Sequence, residues 1–545
     1  MPVSGNDLVG RAVRAAGVDT MFFIMGGPTN DAALAAAAAG VRMIDVRHEQ
    51  AAAMMAHAFA RVRGRPTVCM GASGPGTINL TTGLANALVD AVPVVAFGGS
   101  SAISTFGTGA FQEIDQLEIM RPVTKWAERV YETRRIPEYI ERAFAMATSG
   151  RPGPVYLDLP GDVLYGTVDE DKVQWPRQRR LSKPCLDAAT LAECVSLLAK
   201  AKKPLILAGS GIIWSGAAAE LRGFVEAAGI PFYTTPQGRG SVPEDHETFY
   251  GNARSTAFKE ADLVFVVGTR LNYVFGHGKA PRFSAAATFV MINIDAEEIA
   301  RSPRADIGIQ GDAAAVLAQL TEAARSSVTP DDFAEWRGRL AAIERRKLPE
   351  SEASLDVDAV PIHPLRLCKE IRDHMDRDTI LAVDGQEILN YARRAIPTYN
   401  AGHRLNSGTF GTMGVGLPFG LGAKAARPDA KVIVLHGDGS FGLNGMELDT
   451  AVRHKLPLLV VISLNGGWTA DPERKKPGRD LGYTRFDRLA DSLGCYSEYV
   501  EKPEDIRSAL ERAAAEVAKG RVALVNVVTD WRARADTVAF TSYST

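Results

Sequence analysis

The sequence predicts an α/β protein of three parallel-sheet domains, each doubly wound with helices. Three observations predict it. Continuous runs of Val, Ile and Leu recur, such as Val432–Leu435 and Leu458–Leu464, with the all-apolar character of strands buried on both faces. Glycine turns follow such runs directly, at Gly26-Gly27-Pro28, Gly209-Ser210-Gly211 and Gly437-Asp438-Gly439, where strand gives way to helix. Polar, aperiodic chain at 166–188 and a charged helical stretch at 331–350 separate the blocks. The expected domains are therefore 1–165, 189–335 and 360–530, with a tail at 531–545.

In the first block, residues 5–18 have the spacing of an amphipathic helix, and Thr20–Met25 and Arg42–Val46 read as strands. Glu49 falls at a strand-to-helix junction, where an acid is also favoured simply by the helix dipole. Ser73-Gly74-Pro75-Gly76 reads as a tight loop before a helix, and 149–164 carries a further strand. In the second block, strands are expected at 203–208, Pro231–Thr235, Leu263–Val267 and Phe289–Ile294. Gly209-x-Gly211 is a fragment of a dinucleotide fingerprint without its third glycine, as compatible with a Rossmann-like domain binding nothing as with a bound nucleotide. In the third block, Lys431–His436 and Leu456–Leu464 are strands flanking a helix at 445–454. Asp438 and Asn465 then stand at the carboxyl ends of two parallel strands, where open α/β sheets bind ligands. A carboxylate, an amide oxygen and a nearby glycine carbonyl suit Mg²⁺ sharing its shell with a phosphate, although Gly-Asp-Gly alone is more often an ordinary tight turn.

Composition narrows the class. The 545 residues are 46% hydrophobic and 23% charged, ample for several buried cores, and the formal net charge of −2 gives no nucleic-acid footprint. The five cysteines show no CxxC spacing. No basic start precedes an apolar core at the N-terminus, and no apolar run approaches a membrane span. A soluble, cytoplasmic protein in a reducing compartment is the expectation.

Gly437-Asp438-Gly439 followed by Asn465-Gly466-Gly467, with RHEQAA at 47–52 and GASGPGTINLTTGLANALVDAVPVVAFGG at 71–99, resembles the thiamine diphosphate (ThDP) enzymes of the acetolactate synthase-like superfamily. The family's usual second Asn is Leu464 here, with the ligating position kept. The resemblance covers essentially the whole chain and implies a pyrimidine-binding domain, a Rossmann-like middle domain and a diphosphate-binding domain. It implies Mg²⁺ held by Asp438, Asn465 and the Gly467 carbonyl, and Glu49 as the acid bonding the aminopyrimidine. A carboxyl in an apolar pocket suits that task, because burial favours its sharing a proton with a weak ring base. Ser73, Gly411, Gly437, Gly439 and Ser440 would line the cofactor, and Met413 would wedge between its rings. In this family each cofactor lies between two subunits, so a homodimer is the minimum unit and a homotetramer the usual one.

Substrate class is read from departures within the family. After Gly467 the chain has Trp468, not the Met-Val-x-Gln-Trp helix of acetolactate synthases, and it lacks the paired histidines of simple decarboxylases near Gly107–Phe111. The motifs are similar to those of 2-hydroxyacyl-CoA lyases and oxalyl-CoA decarboxylases, and Phe111-Gln112 leans towards the lyases. The implied reaction is cleavage of a 2-hydroxyacyl-CoA to formyl-CoA and an aldehyde or ketone, reversible as a condensation. Oxalyl-CoA decarboxylation and acetolactate synthase-like carboligation or decarboxylation of 2-keto acids are the alternatives. Gln112 would act on the reacting oxygen, with Phe111, Trp468, Arg270 and Arg404 at the acyl-CoA. Arg393, Arg394, Arg474, Lys475 and Lys476 are further basic candidates for its phosphates. Trp468 is as readily an ordinary core residue. ADP or FAD in the middle domain stays open, as does the tail, read as a lid or a frayed end.

Overall fold

The structure is a computed structural model describing residues 2–177, 181–468, 473 and 475–535. It contains three sheets whose named registers among these strands are parallel, with helices between consecutive strands, as the apolar runs require. No helix among the described residues is long and apolar enough to cross a membrane.

The first sheet comprises β1 (Thr20–Phe23), β2 (Arg42–Asp45), β3 (Val68–Gly71), β4 (Val95–Ser100), β5 (Trp126–Arg129) and β6 (Val155–Pro160), in the order β2-β1-β3-β4-β6-β5. The middle sheet comprises β7 (Pro204–Ala208), β8 (Phe232–Thr234), β9 (Leu263–Val267), β10 (Thr288–Asn293) and β11 (Ile307–Gln310), ordered β8-β7-β9-β10-β11. The third comprises β12 (Ile380–Asp384), β13 (Arg404–Leu405), β14 (Val432–Gly437), β15 (Leu459–Leu464), β16 (Tyr496–Val500) and β17 (Ala523–Val528), ordered β13-β12-β14-β15-β17-β16. The first and third sheets thus share one topology. Each reverses its strand order beside its first strand, which opens a crevice at the carboxyl ends.

The chain forms two compact units. One combines the first and third sheets; the other is built on the middle sheet. In the first unit, helix α1 (Glu49–Arg63) packs along helix α2 (Gly416–Ala426), each being the helix that follows the second strand of its sheet. Their approach is close because α2 carries Gly422, where an added Cβ would run into the Met55 carbonyl. In the middle unit, the charged helix Ala334–Ala353 buries Trp336 and Leu340, and the Trp336 indole donates to the Pro204 carbonyl at 3.2 Å. The expected linker at 331–350 is therefore packed structure, held by an apolar stripe that its charges obscure.

Two local expectations are corrected. Part of the 166–188 linker is paired: Thr167–Asp169 lies antiparallel to Pro2–Ser4. The Gly437-Asp438-Gly439 segment is no separate turn, because β14 runs to Gly437 and helix α3 (Asp438–Asn444) begins at the next residue. A second short helix, α4 (Glu447–Arg453), follows. In the middle unit, an added Cβ at Gly209 or Gly211 would overlap Gly268 or Thr269. Close packing against the end of β9 accounts for both glycines without a nucleotide.

Candidate active site

At the carboxyl end of the third sheet, Asp438 is 3% exposed. Its carboxylate accepts the main-chain N–H of Gly439 at 2.9 Å and of Gly467 at 3.0 Å. Burial pushes its pKa up to about 6 against these N–H groups. Asn465 follows β15, and its Oδ1 accepts the same Gly467 N–H at 3.1 Å. The structure therefore brings Asp438, Asn465 and Gly467 together. A desolvated carboxylate satisfied only by main-chain donors, beside an amide oxygen and a carbonyl, fits a hard divalent cation. Among the described residues no cluster of three or more His, Cys, Asp or Glu could hold a metal ion. A cation here would thus complete its shell from water or a ligand's phosphate.

Arg479, which the sequence reading missed, organises this loop. Its buried guanidinium donates to the Gly466 carbonyl at 2.8 Å and reaches the Asn465 carbonyl at 3.5 Å. A Cβ at Gly467 would overlap that guanidinium, so glycine is required there. Trp468 lies over the start of α3: an added Cβ at Gly439 would come within 2.7 Å of its ring. Ser440 turns its hydroxyl inward, to the Gly437 carbonyl at 2.9 Å and the Asp384 carbonyl at 3.2 Å.

Met413 is half-buried, between Gly411 and Gly414, both at positive φ. Before it in the loop, Phe410 is 48% exposed.

The first sheet supplies a different chemistry at its carboxyl end. Glu49 opens α1, and its Oε2 accepts from Asn79 Nδ2 at 2.9 Å. Its Oε1 lies over Gly76, 3.3 Å from where a Cβ would stand. Ser73 donates to Gln112 Oε1 at 2.7 Å, so these two predicted residues meet. Gln112 adopts φ +59°, an uncommon conformation for a non-glycine residue, and its main-chain carbonyl packs on Gly74, where a Cβ would overlap it. Phe111 beside it is 87% exposed. Glu113 ties the loop by accepting the N–H groups of Gly107, Gly109 and Ala110, which hold its carboxyl below the ordinary range. Behind the loop, buried Gln116 accepts the Gly74 N–H at 2.9 Å and donates to Tyr156 and Asp158. No sequence signal singled out Gln116.

The two sheets meet at the start of α1. Buried Glu447 of α4 accepts the main-chain N–H of Arg47 at 3.0 Å and of His48 at 3.1 Å, and the Thr450 hydroxyl at 2.6 Å. Burial raises its pKa to about 7. The distant backbone partners of Glu447 leave no local pattern in the sequence.

The basic candidates differ in placement. Arg270, at the end of β9, lies 4.0 Å from Glu298. Arg404 is 2% exposed, with both terminal guanidinium nitrogens lacking a hydrogen-bond partner among the described residues. Arg393 donates to Asn390 at 3.3 Å, Arg394 to Ser354 at 2.6 Å, and Lys475 pairs with Glu473 at 2.8 Å. Arg474 and the tail from 536 to 545 lie outside the described residues.

Comparison with known proteins gives the same arrangement of parts. Residues 3–119 match the family described as thiamine pyrophosphate enzyme, N-terminal TPP binding domain. Residues 191–320 match the central domain and 388–527 the C-terminal TPP binding domain of the same enzymes. A 2-hydroxyacyl-CoA lyase of Arabidopsis thaliana is 33% identical, over 97% of this chain and 96% of that protein. An oxalyl-CoA decarboxylase of Escherichia coli K12 is 33% identical, over 96% of this chain and 95% of its own. An acetolactate synthase large subunit of Mycobacterium tuberculosis is 34% identical over the same shares, 96% and 95%.

Proposed function

The chain belongs to the thiamine pyrophosphate enzymes, and from that footing we propose that it is a carbon–carbon lyase, cleaving a 2-hydroxyacyl-CoA to formyl-CoA and an aldehyde or ketone. The observation that carries the reading is the Ser73–Gln112 pair. Ser73 occupies Gln112 Oε1, while Gln112 Nε2 has no partner among the described residues. A neutral amide donor thus remains for another acceptor, suited to a substrate hydroxyl or carbonyl oxygen. Exposed Phe111 beside it offers an apolar wall for an acyl chain.

ThDP, when bound, supplies a carbon centre that stores the electron pair released as the carbon–carbon bond breaks. Asp438, Asn465 and the Gly467 carbonyl would hold Mg²⁺ on its diphosphate, with Met413 between its rings. Asn79 occupies one oxygen of Glu49 and leaves Oε1 to hold a proton at the aminopyrimidine. Gln112 Nε2 donates to the substrate oxygen and orients it. Arg270, partly exposed after β9, is the basic side chain proposed for the CoA. Exposed Phe410, Leu443 and Met446 support a second copy of the chain covering this unit, hence a homodimer at least.

The test offers the purified protein, with ThDP and Mg²⁺, a branched 2-hydroxyacyl-CoA and, separately, oxalyl-CoA. Formyl-CoA with a ketone or aldehyde from the first is the expected result. Turnover of oxalyl-CoA alone, giving formyl-CoA and CO₂, would replace the lyase by the decarboxylase, whose Escherichia coli example is as similar to this chain as the lyase.

A further inference from the structure

The segment that carries Met413 has little rigidity of its own. Between Leu405 and Gly416 it forms neither helix nor strand, and Gly408, Gly411 and Gly414 sit at φ +60°, +74° and +85°. Such a chain moves freely unless its main-chain groups are fixed from outside. Two of its main-chain groups are fixed, at Gly414 and at Gly416. Asp384, at the end of β12 and 2% exposed, accepts the Gly416 N–H at 2.9 Å. Asn444, buried at the end of α3, donates from Nδ2 to the Gly414 carbonyl at 2.7 Å.

We propose that Asp384 and Asn444 are positioning residues: Asp384 holds the main chain at Gly416 and Asn444 holds it at Gly414, and together they aim the Met413 side chain. The proposal rests on the reading of Met413 as the cofactor-facing wedge.

The clamp reaches both parts of the candidate site. The Asp384 carbonyl accepts the Ser440 hydroxyl at 3.2 Å, tying the clamp to the start of α3 where Asp438 stands. Asn444 Oδ1 accepts Gln50 Nε2 at 2.9 Å, and Gln50 adjoins Glu49.

The test compares the unaltered protein with Asp384→Ala and Asn444→Ala, with Asp384→Asn as the conservative variant retaining one acceptor oxygen. Amide hydrogen exchange is measured on the protein without cofactor, and turnover against ThDP concentration is measured separately. We expect exchange across 412–416 to rise about tenfold or more in both alanine variants, with β14 unchanged, since each removes a bond worth roughly a factor of ten. We expect kcat to fall by about 10- to 100-fold while the KM for ThDP stays within about threefold, with Asp384→Asn intermediate. Unchanged exchange across 412–416 would overturn the proposal, as would exchange rising equally in β14, or kcat and ThDP KM moving together. If the unaltered protein bound no ThDP, the functional reading would fall, and the exchange comparison alone would decide the clamp.

Discussion

The first and third sheets have the same strand order, and the same three junctions carry their candidate residues. After the second strand comes Glu49 in the first sheet and the Met413 loop in the third. After the third strand come Ser73 and Gly74 in one and Asp438 in the other. After the fourth come Gln112 and Asn465. One topology thus presents two chemistries. The third sheet offers hard oxygens locked by its own backbone, with Arg479 beneath them. The first offers one half-buried acid and a side-chain amide on a loop whose apolar neighbour is open to solvent. A crevice at the carboxyl ends is therefore a place, and side chains decide whether it holds a cofactor or works on one.

The comparison breaks most severely at the helix crossing. Gly422→Val would drive a side chain into the Met55 backbone and separate α1 from α2, at a cost of about 3 kcal/mol or more. Thermal unfolding should drop sharply; an unchanged midpoint would mean that the two sheets do not depend on this contact. Next, Gly467→Ala forces Arg479 from beneath the loop, and Mg²⁺ affinity in the presence of ThDP should fall by roughly 10- to 100-fold. Unaltered affinity would remove the Gly467 loop from the proposed site.

On the first sheet, Gln112→Ala deletes the neutral donor and should lower kcat/KM by about 10²-fold, with ThDP affinity kept. A matching loss of ThDP affinity would make Gln112 part of the cofactor wall instead. A pH-dependent effect concerns Glu447, which joins the sheets. Its pKa stands at about 7 in the folded chain, above the ordinary 4.5. The folded state therefore holds the proton more tightly. That contribution to stability is complete below about pH 4.5 and is lost as pH rises through about 7, up to roughly 3 kcal/mol. Glu447→Gln should flatten this part of the fall in melting temperature between pH 5 and 8, and an identical slope would refute the assignment.

Much of this was legible in the sequence because strands buried on both faces write themselves as apolar runs. Leu263–Val267 was placed to the residue, and the ends of Thr20–Phe23 and Leu459–Leu464 differ from expectation by a few positions. Strand β5 (Trp126–Arg129) was missed, since a short run ending in Glu128 and Arg129 has no apolar character. Helix α3 was missed because its glycines are poor helix formers, although they allow the close approach at Gly439. Asp438, Asn465 and Glu49 stood out by motif. Asp384, Asn444, Glu447, Arg479 and Gln116 act on main-chain groups or loops remote in sequence, a relation that spacing does not encode. Arg404 looked like a surface contact and is buried on the short edge strand β13.

The division of labour between the sheets is tested most directly by Glu49→Gln and Asp438→Asn. ThDP with Mg²⁺ would be titrated calorimetrically into each, and exchange of the thiazolium C2 proton followed by NMR. Glu49→Gln should bind within about threefold of the unaltered protein yet lose about 10²- to 10⁴-fold in exchange rate, whereas Asp438→Asn should lose binding. Glu49→Gln losing binding as Asp438→Asn does, or exchanging at the normal rate, would contradict the account.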